Sequence, residues 1–170
     1  MVKNYKISTP FFEFGPKAYL YGDKLLELMK KIDTYAEKYD MDVIADVQTT
    51  DLRLIAENTS DRIHVYSQHM DSIPVGRGMG TILPEAVKAT GAVGVMLNHA
   101  ECKLTLDEIK KAIERADEVG LATIVCADTE EEIKAVAEMN PNIVVAEPSE
   151  LIGTGISVGR EYVDACIELV

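Results

Sequence analysis

The chain has little of what marks several common protein classes. Basic residues are scarce, 17 Lys and Arg against 29 Asp and Glu, for a formal net charge of -12. Nucleic acids and anionic membranes are held by clustered Lys and Arg, so neither is an expected partner. The longest apolar stretches are strand-sized, too short for a membrane-spanning helix. Cysteine is limited to Cys102, Cys126 and Cys166, far apart and without the CxxC spacing of a metal site. An odd number in a chain with no secretory leader argues for free thiols and a cytoplasmic location. No linker-like or low-complexity segment divides residues 1–170, so a single domain is expected, large enough to bury about two-thirds of its unfolded surface. A net negative protein can still hold a small anion, using a few focused donors such as helix N-terminal N–H groups.

What is present is a regular alternation of short apolar runs with helical patterns. Strands are expected at Val2–Tyr5, Val43–Val47, Ile63–Ser67, Val93–Leu97, Ala122–Ala127 and Ile143–Ala146. Each is near-continuously apolar, as a strand covered on both faces must be. Between them, Leu106, Ile109, Ile113 and Ala116 recur at helical spacing, with Thr105 as cap and Gly120 as stop. Glu130–Met139 reads the same way with Thr129 as cap, and its acidic first turn suits the helix dipole. Further helices are expected at Lys17–Tyr39, Asp51–Asn58, Pro84–Ala89 and Glu161–Val170. Strand alternating with helix implies a parallel sheet with crossover helices. Phe11, Phe12 and Phe14 stand out on the apparent loop after the first strand, as a hydrophobic plug over a core edge or as a subunit contact or pocket wall.

In a (β/α) barrel the reacting groups sit at the C-terminal ends of the strands. The polar residues there are Asn4 and Lys6, Gln48, Gln68 and His69, Asn98, His99 and Glu101, Asp128, and Glu147. Glu147 closes an apolar run, where partial desolvation favours the protonated acid and makes the carboxylate a better base near neutrality. Its plainer reading is a helix cap or the partner of a lysine. His99 could donate a hydrogen bond to a substrate carbonyl, though a strand-end histidine is often structural. Lys6 could supply fixed positive charge or be a solvated surface amine. His64, His69, His99 and Glu101 lack metal-ligand spacing, so no metal and no cofactor are expected. Cys126 reads as a small buried packing residue.

Together Asn4-Tyr5-Lys6, Asn98-His99-Ala100-Glu101 and the stretch Glu147-Pro148-Ser149-Glu150-Leu151-Ile152-Gly153-Thr154-Gly155 resemble the triosephosphate isomerase family in order and rough spacing. Leu83-Pro84-Glu85-Ala86 and Leu104-Thr105-Leu106-Asp107-Glu108 extend the likeness over nearly the whole chain, toward the compact archaeal-type branch. The resemblance implies an α/β fold of the (β/α)8 TIM-barrel type with about six of eight units present. It also implies an aldose–ketose isomerase interconverting dihydroxyacetone phosphate and glyceraldehyde 3-phosphate through an enediolate.

By that resemblance Glu147 would move the proton, and His99 would be the neutral electrophile. Lys6 and Asn4 would stabilise the oxyanion, with Glu101 orienting Lys6. Residues Pro148, Ser149, Glu150, Leu151, Ile152, Gly153, Thr154 and Gly155 would form a lid, Gly153 giving its N–H to the phosphate. Gly76-Arg77-Gly78-Met79-Gly80 falls at the family's subunit-contact loop, implying a homo-oligomer, dimer or tetramer. Ala100 replaces a usual serine and Cys102 a usual basic residue, so a four-carbon ketose phosphate is an alternative substrate. An eight-unit barrel usually takes about 250 residues. Ending at Val170, the sequence is expected to be a fragment, a truncated gene product or the ordered part of a longer chain, and as an isolated polypeptide to have little or no isomerase activity.

Overall fold

A computed structural model describes residue 2 and residues 5–170. Asn4, one of the expected substrate contacts, lies outside the described residues. Among the described residues six strands run parallel in chain order: β1 (Phe12–Phe14), β2 (Val43–Val47), β3 (Ile63–Ser67), β4 (Gly94–Leu97), β5 (Ala122–Ala127) and β6 (Ile143–Ala146). The helices between and after them are α1 (Gly22–Tyr39), α2 (Leu52–Ala56), α3 (Pro84–Ala89), α4 (Leu106–Val119), α5 (Glu130–Glu138) and α6 (Arg160–Glu168). A short 3-10 turn, Ser149–Leu151, follows β6. The result is a parallel sheet curled into a half-barrel, the architecture of a partial TIM barrel.

Local chemistry explains the element ends. Thr105 accepts a hydrogen bond from the Glu108 N–H while the Glu108 carboxylate accepts one from the Thr105 N–H, a reciprocal cap that starts α4. Gly120, with φ of 75°, lets the chain leave that helix in the left-handed region. Thr129 caps α5 through its hydroxyl alone, which accepts the Glu132 N–H, while the Glu132 carboxylate accepts the N–H of Asp128.

Period-two alternation then sorts the strand residues between two cores. Val43, Ala45, Val47, Val65, Val95, Leu97 and Val125 face the helices, meeting Leu25 and Met29 of α1 and Ile109 and Ile113 of α4. Ile44, Tyr66, Met96, Ile124 and Cys126 face inward and form a second, smaller cluster. Gly94 makes room for the ring of Tyr66: a Cβ there would lie 2.1 Å from the ring carbon Cε1.

The first strand is a correction. It lies at Phe12–Phe14, paired with Val43–Ala45, and of the expected span Val2–Tyr5 the described residues Val2 and Tyr5 are in no strand. The polar Glu13 and the Gly15-Pro16 break made this segment read as a loop, although Glu13 faces the cavity from within the strand. The three phenylalanines divide: Phe11 packs on the inner cluster, Phe14 on the helix-facing core, and Phe12 is largely exposed. The segment before β1 packs against the base of the half-barrel. Tyr5 meets His64 and Tyr66 edge to face at 5.8 and 6.1 Å, and Ser8 N–H donates to Asp42 at 2.7 Å. Burial raises the Asp42 carboxyl, but Ser8 and the Arg62 guanidinium at 3.0 Å outweigh it and hold the group below the usual carboxylate range.

Gly94→Ala is expected to cost about 3 kcal/mol, since the added methyl meets a fully buried ring. Urea unfolding would measure it, with much of the loss recovered in a Gly94→Ala/Tyr66→Leu double variant. An unchanged midpoint in the single variant would disprove this packing.

Candidate active site

Because all strands point one way, their C-terminal ends share a rim, and that rim opens on a cavity of about 420 Å³. His99 and Glu147 come from strands separated by β5 yet meet there, Nε2 of His99 lying 3.2 Å from Oε1 of Glu147. The other carboxylate oxygen accepts the Ala100 N–H at 3.3 Å. The Glu147 N–H still donates to Ala127 O at 2.8 Å, so the carboxylate is held by the last rung of the β5–β6 ladder.

The tautomer of His99 follows from its other nitrogen. Nδ1 accepts the Glu101 N–H at 3.0 Å and is therefore unprotonated. The single ring proton of a neutral imidazole then resides on Nε2, the atom facing Glu147 and the cavity.

A lysine reaches this site, and it is Lys17. Its Nζ sits 2.8 Å from the Glu101 carboxylate, and that hydrogen bond raises the ammonium pKa while lowering that of Glu101. Lys17 adopts a left-handed backbone, φ 51°, which is costly for a residue with a Cβ. The conformation is held by two side-chain amides: Gln48 and Gln68 donate to its carbonyl at 3.2 and 3.0 Å, and Gln68 also donates to Asp46 O at 2.9 Å.

Lys6, the lysine expected here, is exposed at the opposite end of the strands, in a groove shared with Asp42 and Asn142. Both neighbours precede their strands, whereas the cavity opens at the C-terminal ends of the strands. Misplacing the first strand carried the lysine with it. The signal that could have found Lys17 is its position three residues past Phe14, after a Gly-Pro break.

Asn98 supports the same rim from beneath. Also left-handed, with φ 58°, and buried, it donates to Cys126 O and to Glu132, and accepts the Leu104 N–H, each at 2.8 Å. One amide thereby fixes the end of β4 to β5, to the start of α5 and to the approach to α4. The segment Pro148–Gly155 is anchored at its start, where Ser149 N–H donates to Asp128 at 2.9 Å and its hydroxyl bonds the same carboxylate. Those bonds hold Asp128 below the usual carboxylate range. Gly153 and Gly155 carry positive φ, and Gly153 does not line the cavity. The histidines are dispersed: His64 faces Asp42 at the base, His69 faces Asp71, and His99 faces Glu147. Among the described residues no three His, Cys, Asp or Glu side chains are grouped to hold a metal, and no helix is long and apolar enough to cross a membrane.

Fold and rim together define a (β/α)-barrel protein with a carboxylate–imidazole–ammonium site at the C-terminal ends of its strands. The profile of the triosephosphate isomerase family matches residues 15–170. That span takes in Lys17 and leaves Lys6 outside. The chain is 40% identical over 157 residues to triosephosphate isomerase of Sulfurisphaera tokodaii, covering 91% of this chain and 68% of the relative. It is also 40% identical to the enzymes of Methanobacterium bryantii, covering 95% of this chain and 73% of the relative, and of Sulfolobus acidocaldarius, covering 96% and 71%. The chain belongs to the triosephosphate isomerase family.

Asn98→Ala is expected to lower stability by about 3 kcal/mol, because it strands a buried carbonyl and a backbone N–H and leaves alanine in a left-handed conformation. Asn58→Ala, which removes one exposed bond to Leu54 O, should stay within about 0.5 kcal/mol. Equal losses on chemical denaturation would contradict the role given to Asn98.

Proposed function

We propose that this chain carries an aldose–ketose isomerase site, interconverting dihydroxyacetone phosphate and glyceraldehyde 3-phosphate through an enediolate. The observation that carries this reading is the paired contact of His99, whose Nδ1 accepts a backbone N–H while Nε2 faces Glu147 at 3.2 Å. A carbonyl substrate entering between them meets a donor for its oxygen and a base beside its α-carbon. The Glu147 carboxylate takes the proton from that carbon, and the bond's electrons move onto the oxygen as an enediolate. The Nε2–H of His99 stabilises the developing negative charge and relays a proton from the hydroxyl oxygen to the former carbonyl oxygen, while the carbon-bound proton held by Glu147 is returned to the neighbouring carbon. No oxidant and no metal is required for this step, since it redistributes hydrogen within one molecule.

Lys17 supplies the fixed positive charge that the sequence reading gave to Lys6. Its ammonium, held at 2.8 Å by Glu101, is positioned before substrate arrives and loses little freedom on binding. In the same reading Glu101 keeps the orienting role and applies it to Lys17. The loop Pro148–Gly155 acts as a lid, with Gly153 offering its N–H to the phosphate and the Asp128–Ser149 contact as its fixed end. The exposed loop carrying Val75 and Met79 serves as the contact between subunits of a homo-oligomer.

Glu147→Asp is expected to slow isomerisation at least roughly a hundredfold with an unchanged unfolding midpoint, because withdrawing the carboxylate by one methylene spoils near-attack geometry. Lys17→Met should cost about a hundredfold or more in kcat/KM, and Lys6→Met less than about twofold. Coupled-enzyme kinetics on the three variants checks both statements. A Lys6→Met loss as large as that of Lys17→Met would return the amine to Lys6, and full activity in Glu147→Asp would remove Glu147 from the reaction.

A further inference from the structure

The inner faces of β1 and β2 bring together two acids that the isomerisation does not use. Phe12–Phe14 pairs with Val43–Ala45, so one further step of the same register sets Gly15 alongside Asp46. Gly15 has no side chain, and the carboxyl of Glu13 fills the space: its Oε1 lies 3.1 Å from where a Gly15 Cβ would stand. Glu13 thereby reaches Asp46, which is 1% exposed, and the two carboxyls hydrogen-bond across the seam between the strands. Both line the cavity. Two ionised carboxylates offer only acceptors, so this bond requires a proton between them. Burial of Asp46 first, and Glu13 second, raise the Asp46 carboxyl well above the usual range, which keeps that proton in place.

The pair stands directly behind Lys17. Only Gly15 and Pro16 separate β1 from that lysine, and Glu13 packs on Gly15. From β3, Gln68 donates both to Asp46 O at 2.9 Å and to Lys17 O at 3.0 Å. β1 is three residues long and, among the described residues, pairs on one side only, so its backbone ladder is short. A side-chain tie across that ladder therefore carries weight in holding the turn that aims the ammonium. Loss of the proton leaves two like charges in a site of low polarity, where their repulsion is strong.

We infer that Glu13 and Asp46 form a proton-bridged latch between β1 and β2 that positions Lys17 and lets it go when the proton leaves. Both are positioning residues, and the proton relay remains with Glu147 and His99. The latch rests on the isomerase reading only for what Lys17 does. Tyr5 and Tyr66 feel the charge of Asp46 from below, and Cys126 from β5; burial pushes all three up, so they stay neutral where a carboxyl titrates. Around the rim the remaining groups are Lys17 with Glu101, His99 with Glu147, His69 with Asp71, and Cys102.

Above about pH 4, the range of a free aspartate, the folded pair holds a proton that the unfolded chain has lost. Stability therefore falls as pH rises from there through the higher value of the pair. Infrared spectra of the full chain locate that value, because the carbonyl stretch of a protonated carboxyl vanishes when the proton leaves; the stretch must be missing in Asp46→Asn. At the same pH, amide exchange of residues 12–17, corrected for its intrinsic pH dependence, should speed up at least about tenfold. The kcat/KM on glyceraldehyde 3-phosphate should fall at least about tenfold there, since a small displacement of a catalytic group costs that much. Asp46→Asn puts an amide N–H in place of the proton, so both steps should disappear in it while the rim groups titrate as before. Asp46→Leu, with no bond to Glu13, should show fast exchange and low kcat/KM at every pH.

Exchange or a measurable kcat/KM that passes smoothly through the pH of the infrared change would overturn the latch. So would steps that persist in Asp46→Asn, which would belong to a rim group, or a protonated stretch that survives in that variant. Should Asp46→Leu fail to fold, Glu13→Gln decides: its amide donates to Asp46, and both steps must be gone, their persistence overturning the proposal. The isomerase reading fails separately. No turnover at any pH, with the exchange step present in the unmodified chain and absent in Asp46→Asn, would sink that reading and leave the latch standing.

Discussion

Parallel strand direction, joined to the two-residue repeat of a strand, is the constraint from which the rest of this molecule follows. Six strands that all point one way deliver six chain ends to a single rim. The repeat then turns alternate residues toward the helices or toward the interior. A residue just past the end of a strand has its direction set by that register. Glu147 and His99 face each other because the β4–β5–β6 ladder holds both ends level.

Rigid support at the rim comes from backbone conformations that would be unfavourable alone. Lys17 and Asn98 are both left-handed and both sit where a strand gives way to a loop. Each is locked by amide hydrogen bonds, Lys17 through Gln48 and Gln68, Asn98 through its own side chain. Strain of this kind persists where the surroundings over-determine the geometry, and here it aims an ammonium and an imidazole into one cavity. The acidic composition does not prevent anion handling in that space. Glu101 is paired with Lys17, and burial first, then Glu13, raises the Asp46 carboxyl well above the usual range, so the field near the carboxylate–imidazole pair is less negative than the sequence charge implies.

The base of the half-barrel is built on the opposite logic. There the segment before β1 is held by an ionised and fully engaged aspartate, Asp42, with Ser8, Arg62 and His64 around it. Asp42 and Asp46 lie four residues apart in the same chain segment and differ in every respect that matters. Asp42 is ionised and held by Ser8 and Arg62 at the base; Asp46 is buried beside Glu13 and lines the cavity, its carboxyl raised well above the usual range. Neighbouring strands, not residue type, make the difference.

By itself the sequence determined the alternation of elements, the position of five of the six strands, the caps at Thr105 and Thr129 and the placement of His99 and Glu147 at strand ends. These are local properties, set by apolar runs and cap chemistry that act over a few residues. Which segment became the first strand was decided only by pairing with Val43–Ala45, a contact between residues some thirty positions apart. A charged residue within a three-residue strand erases the apolar signal, and Glu13 hid β1 for that reason. Lys17 and not Lys6 lies at the rim, and Asp46 became a buried acid beside Glu13, because inward or outward facing depends on register, and register is a property of the assembled sheet.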